Sequence, residues 1–77
     1  MIVQAQDKKT ILLIENIANI SICDNVIMAM YQDGSDLELG VYDSTERCKS
    51  VLNEIMMKYS HQCVYGGRMA KYEMPEQ

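Results

Sequence analysis

The chain has 77 residues, 48% of them hydrophobic and 23% charged, with 4 glycines and 1 proline, a composition that reads as one small globular domain and excludes a disordered tail or a collagen-like repeat. Lys plus Arg is 7 against 11 Asp plus Glu, a net charge of −4, which argues against non-specific DNA binding and against anionic lipid surfaces. No apolar run approaches the roughly 20 residues of a membrane span, no basic-then-apolar leader opens the sequence, and an odd count of 3 cysteines fits reduced thiols in a cytoplasmic protein.

Residues 2–6, Ile-Val-Gln-Ala-Gln, read as a short strand, and Asp7, Lys8 and Lys9 as a turn. Residues 10–14 form an apolar run rich in β-formers, and at that length a buried strand is favoured over a helix. Glu15 and Asn16 break it. Residues 19–23 alternate polar and apolar, the period of a half-buried strand. Asp24 and Asn25 signal a turn before Val26–Tyr31, which is apolar at every position. Asp33-Gly34 then marks a hairpin, because glycine accepts the positive φ that a tight turn requires. In the return strand, residues 36–42, simple alternation puts Leu37, Leu39 and Val41 on one face and Glu38, Gly40 and Tyr42 on the other.

One helix is expected over about residues 44–59. Asp43-Ser44-Thr45-Glu46 resembles a capping box, with Asp43 or Ser44 as N-cap and Glu46 near the first-turn amides. Cys48, Val51, Leu52, Ile55, Met56 and Tyr59 then form an apolar stripe at helical spacing. Met57 lies off that stripe and is a candidate for touching a partner, since methionine suits adaptable interfaces. Residues 69–74 form a candidate last strand, ended by Pro75.

Chemistry-bearing residues are sparse. His61 and Cys63, with Cys23 or Cys48, lack the paired C-x₂₋₄-C or H-x₃₋₅-H spacing of a structural zinc site, so no metal is expected. A single histidine, two positions from Cys63, does not supply the nucleophile, base and orienting group of a hydrolase, and no enzyme is expected. The most suggestive stretch is Tyr65-Gly66-Gly67-Arg68 with Lys71 and Tyr72. Two glycines let backbone amides approach an anion, an arginine grips a phosphate bidentately, and flanking tyrosines stack on a base. The simpler reading is a flexible turn with Arg68 and Lys71 in solvent, since no dinucleotide or Walker fingerprint accompanies it.

Residues 39–48, Leu-Gly-Val-Tyr-Asp-Ser-Thr-Glu-Arg-Cys, with Val51, Leu52, Asn53, Glu54 and Ile55 following, resemble a group of short uncharacterised proteins found in Firmicutes and their phages. The opening Ile2 to Asp7 and the closing Tyr72-Glu73-Met74-Pro75 are similar too. The resemblance covers most of the chain, but its motifs are structural and carry no catalytic residue. It implies a mobile-element setting, in which small phage proteins antagonise host defence by binding a defence protein or a signalling nucleotide.

The expected fold is α+β: an antiparallel meander of about five strands packed against one helix, with a C-terminal strand returning to the sheet. The expected function is a non-enzymatic binding protein of phage or mobile-element origin. One mode is capture of a nucleotide messenger by Tyr65, Gly66, Gly67, Arg68, Lys71 and Tyr72. The other is blockade of a host defence protein by an acidic surface that includes Asp33, Asp36, Glu38 and Asp43. The alternative is a bacterial interaction protein without a defence role. A homodimer is expected in either case, because residues 11–14 and 26–31 carry apolar side chains to both faces of the sheet and one helix covers only one. The competing possibility is that residues 64–74 fold back over the second face.

Overall fold

Short apolar runs rich in isoleucine and valine recur in the first half of the chain, and in the computed structural model, which describes residues 1–64 and 70–77, they form strands. In chain order these are β1 (Ile2–Gln4), β2 (Ile11–Leu13), β3 (Ile17–Cys23), β4 (Val26–Tyr31) and β5 (Asp36–Val41), followed by helix α1 (Thr45–Val64) and β6 (Lys71–Glu73). A single 3₁₀ turn, Ile14–Asn16, joins β2 to β3. The fold is α+β, a meander of strands packed on one helix with a C-terminal strand.

The meander divides into two three-stranded sheets, ordered β2-β1-β6 and β3-β4-β5. All described pairings are antiparallel except β1 with β6, which is parallel. The last strand therefore extends the first sheet in its own plane, and its described residues do not lie across the outer face of β3-β4-β5. Val3 and Leu12 from one sheet, Ile27, Ala29 and Leu39 from the other, and Cys48, Val51 and Ile55 from α1 meet in one core. Burying each of the larger aliphatic side chains there contributes about 1.5–3 kcal/mol.

Turn chemistry follows the sequence. The Tyr31 carbonyl accepts from the Gly34 amide at 3.0 Å, and Gly34 has φ of 93°, the left-handed position that glycine takes without strain. Asp33 Oδ1 accepts from the Ser35 amide and hydroxyl at 2.9 and 2.6 Å, closing the turn.

The alternation expected for residues 36–42 does not hold. Ile27 pairs with Gly40 while its neighbour Met28 pairs with Glu38, so Leu39 is an extra residue in β5. A bulge of this kind shifts the phase of every side chain beyond it. Leu39 and Gly40 are both buried, Val41 turns outward at 42% exposure, and Tyr42 turns into the core at 3%. Gly40 makes this possible. A Cβ there would lie 2.9 Å from the Tyr42 ring, so only glycine lets the tyrosine lie across the strand.

The helix differs from expectation at both ends. Ser44 is the N-cap: its Oγ accepts from the Arg47 amide at 3.1 Å. Glu46 stands one position too early for a capping box and instead faces Lys49 at 3.6 Å. The Thr45 hydroxyl donates to the Asp24 carbonyl at 2.7 Å, tying the helix start to the β3–β4 turn. The helix runs past Tyr59 to Val64 because no glycine or proline interrupts it before Gly66. Cys48, Val51 and Ile55 are buried as the stripe requires, but Met56 is 60% exposed.

Candidate functional site

The two sides of α1 are built differently. On one side, a polar cluster ties the helix to the chain's last residues. Arg47 Nε and Nη2 donate to the Gln77 oxygen at 3.1 and 2.9 Å, and its guanidinium lies 5.8 Å above the Tyr42 ring. The Tyr42 hydroxyl donates to the Pro75 carbonyl at 2.8 Å. Glu54, two turns on from Arg47, lies 3.8 Å from it and accepts from the Tyr72 hydroxyl at 2.7 Å. Burial, then the hydrogen bond to Glu54, raises the Tyr72 hydroxyl well above its ordinary pKa, and burial also raises that of Tyr42. Both hydroxyls are committed to structural partners.

Gln6 completes this side. Its amide acts as a surrogate peptide unit against β5: Oε1 accepts from the Val41 amide at 2.8 Å and Nε2 donates to the Val41 carbonyl at 2.9 Å. The Gln6 backbone amide donates to the Leu39 carbonyl at 2.8 Å, and Nε2 also reaches the Glu76 carbonyl at 2.9 Å. The free edge of β5 is thereby covered by the chain's own residues.

On the other side, α1 and edge strand β3 flank an open groove of about 570 Å³. Its walls are Ile14, Ile17 and Ile20 below and Leu52 and Met56 above, with Lys49 and Asn53 at the rim. Register places Ile17, Ile20 and Ile22 on the core face of the sheet, yet all three are only half-buried, and Ile17 and Ile20 line the open groove.

The outer face of β3-β4-β5 is a third surface. Pairing sets Val26, Met28 and Met30 of β4 between Val41, Glu38 and Asp36 of β5 and Cys23, Ser21 and Asn19 of β3. The centre is apolar, two carboxylates line one border, and no lysine or arginine shares the register. Asp36, Glu38 and Asp43 make no ion pair with any described residue.

Of the residues expected to hold a nucleotide, Tyr65, Gly66, Gly67 and Arg68 lie outside the described residues. Lys71 and Tyr72 are neighbours in β6 and point to opposite faces: Lys71 shares its face with Ile2, Tyr72 shares its own with Val3. The described residues beside Tyr72 form a shallow hollow of about 390 Å³ with Asn53, Met57, Lys58 and His61. Among the described residues, no group of three His, Cys, Asp or Glu side chains is placed to hold a metal, and no helix is long and apolar enough to cross a membrane.

Comparison with protein-family models, curated proteins and solved structures finds no match.

Sequence reasoning missed the groove. The signal was present in the breadth of the α1 stripe. Six apolar positions from Cys48 to Tyr59 span a wider arc than one core seam needs, and Leu52 and Met56 at its margin line the groove instead of the core.

Proposed function

We propose that this chain is a non-enzymatic binding protein that acts by protein–protein contact through the outer face of β3-β4-β5. One observation supports this reading above the others: an apolar centre of Val26, Met28, Met30 and Val41, bordered by Asp36 and Glu38, with no cation in the register. Interfaces combine an apolar core with a charged rim, and net charge of one sign steers a partner of the other. The matching partner surface is apolar at its centre and carries lysine or arginine along one side. The setting comes from the resemblance alone: a phage or mobile-element protein, in the cytoplasm of a bacterial host, that blocks a defence protein. Self-association is proposed independently of that face, and exposed apolar side chains such as Ile11 and Leu13, at 65% and 41% exposure, support it.

The test is plaque formation on a host whose defence system the wild-type protein disables. The pair Asp36→Lys and Glu38→Lys should restore defence, and so should Met30→Asp. Full inhibition by both variants would remove the sheet face from the mechanism. Nucleotide capture is the second mode. A nucleotide that raises the melting temperature of the wild type, but not of Arg68→Ala, would transfer the function to that mode.

A further inference from the structure

We infer that the free edge of β3 and the groove above it seat a second copy of this chain, related by a two-fold axis normal to the sheet. This pairing does not depend on the outer face serving as a binding surface.

The two edges of the β3-β4-β5 sheet differ in how they meet solvent. A bare edge strand presents unpaired amides and carbonyls to any strand that approaches, and proteins blunt such edges with charge, proline or a covering segment. The β5 edge is covered by Gln6 and carries Asp36 and Glu38. Along β3, from Ile17 to Cys23, there is no charged residue and no proline, and among the described residues no strand pairs with its outer edge. Its bulge, at Ala18, sits near one end and leaves residues 19–23 regular.

Charge selects the occupant. A chain of net charge −4 repels its own copy at most surfaces, and like charges set opposite each other are costly. Two β5 edges would oppose Asp36 and Glu38 to themselves. Two β3 edges oppose only Asn, Ser, Cys and small or branched apolar residues. An antiparallel pair of identical strands is isologous, so each copy offers the surface it accepts.

Geometry then fills the groove. A two-fold axis normal to the sheet keeps both α1 helices on the same face, one on each side of the β3–β3 seam. Centred on Ser21, the seam pairs residues 19–23 of the two copies in opposite directions, so Ile20 of one lies beside Ile22 of the other, and Leu52 and Met56 of each helix flank the seam. The half-burial of the β3 isoleucines is thereby completed by residues of their own kind. The outer sheet faces stay open and lie side by side, forming a bivalent surface.

The experiment is sedimentation equilibrium of the full chain across about 1 to 500 µM, the range of weak to moderate association, with three single variants. The wild type should reach twice 8.8 kDa. Met56→Glu, which puts a charge into the apolar groove beside the seam, should weaken the dimer about a hundredfold. Met57→Glu, on the same helix outside the groove, and Met30→Glu, on the outer face, should dimerise as the wild type does. In parallel, amide exchange at residues 19–23 should slow as concentration rises, a readout that stands if Met56→Glu folds poorly. A wild type that stays at 8.8 kDa throughout overturns the inference. So does dissociation by Met30→Glu with Met56→Glu unaffected, which would move the seam to the sheet face. Exchange at residues 19–23 that ignores concentration overturns the β3 seam as well.

Discussion

The two flanks of β4 show how one small fold treats its edges in opposite ways. Toward β5, the chain closes on itself: Gln6 pairs with Val41 like a strand, Tyr42 fills the space above Gly40, and Arg47 and Glu54 hold the last residues. Toward β3, a seven-residue edge without charge borders an apolar groove. The same helix serves both flanks. Arg47 and Glu54 lie on one side of its buried seam, Leu52 and Met56 on the other. An edge that is sealed needs no partner, and an edge that is neither sealed nor charged is an invitation to pair.

The largest effect is expected at alkaline pH, where unfolding would free the tyrosines of the sealed flank to ionise. Tyr72 and Tyr42 both hold their hydroxyl protons more tightly in the folded chain than at the ordinary value of about 10. Their contribution is complete below about pH 10 and is lost as pH rises through the raised folded values, because the unfolded chain then releases protons that the folded chain retains. Denaturant midpoints measured from pH 8 to 11, spanning that value of about 10, should fall steeply at the upper end. They should fall less steeply for Tyr72→Phe; identical slopes would dismiss Tyr72 as the cause.

Next in size is Gly40→Ala. The added Cβ meets the Tyr42 ring at 2.9 Å, and overpacking of this kind costs about 1–3 kcal/mol. Calorimetry should show a lower melting temperature, and an unchanged one would mean that Tyr42 can move aside freely.

Gln6→Leu keeps the volume but removes both bonds to Val41, at an expected cost of about 1–2 kcal/mol. It also bares the β5 edge. If covering by Gln6 is what distinguishes the two flanks, amide exchange at Val41 should accelerate while exchange in β3 stays as it was.

The helix cap gives a smaller and more local contrast. Ser44→Ala should cost about 1 kcal/mol and Asp43→Ala close to nothing, since only Ser44 reaches an orphan amide. Equal losses from the two would reassign the cap.

Smallest of all is Asn19→Lys on the open flank. This side chain is exposed, so the monomer should change by no more than about 0.5 kcal/mol, while a lysine on the free edge should weaken self-association. A large loss of stability instead would show that β3 is already braced.

Local features of the chain are legible in its residue pattern. Asp33 and Gly34 mark their turn, Val26–Tyr31 its strand, and Cys48, Val51 and Ile55 the buried seam, because each depends on neighbours within a few residues. The bulge at Leu39 is not legible, since nothing in Leu-Glu-Leu-Gly-Val-Tyr says that a ring two residues on will lie over Gly40. That phase shift exposes Val41, buries Tyr42 and sets the composition of the outer face.

Composition and pattern by themselves determined that this chain is acidic and α+β, with more apolar strand surface than one amphipathic helix can cover. Only the tertiary structure decided which edge is closed and which stays open. Gln6 meets Val41, and Arg47 meets Gln77, across 35 and 30 positions of sequence. Contacts of that range depend on how two sheets and a helix come together, and no local pattern of residues encodes them.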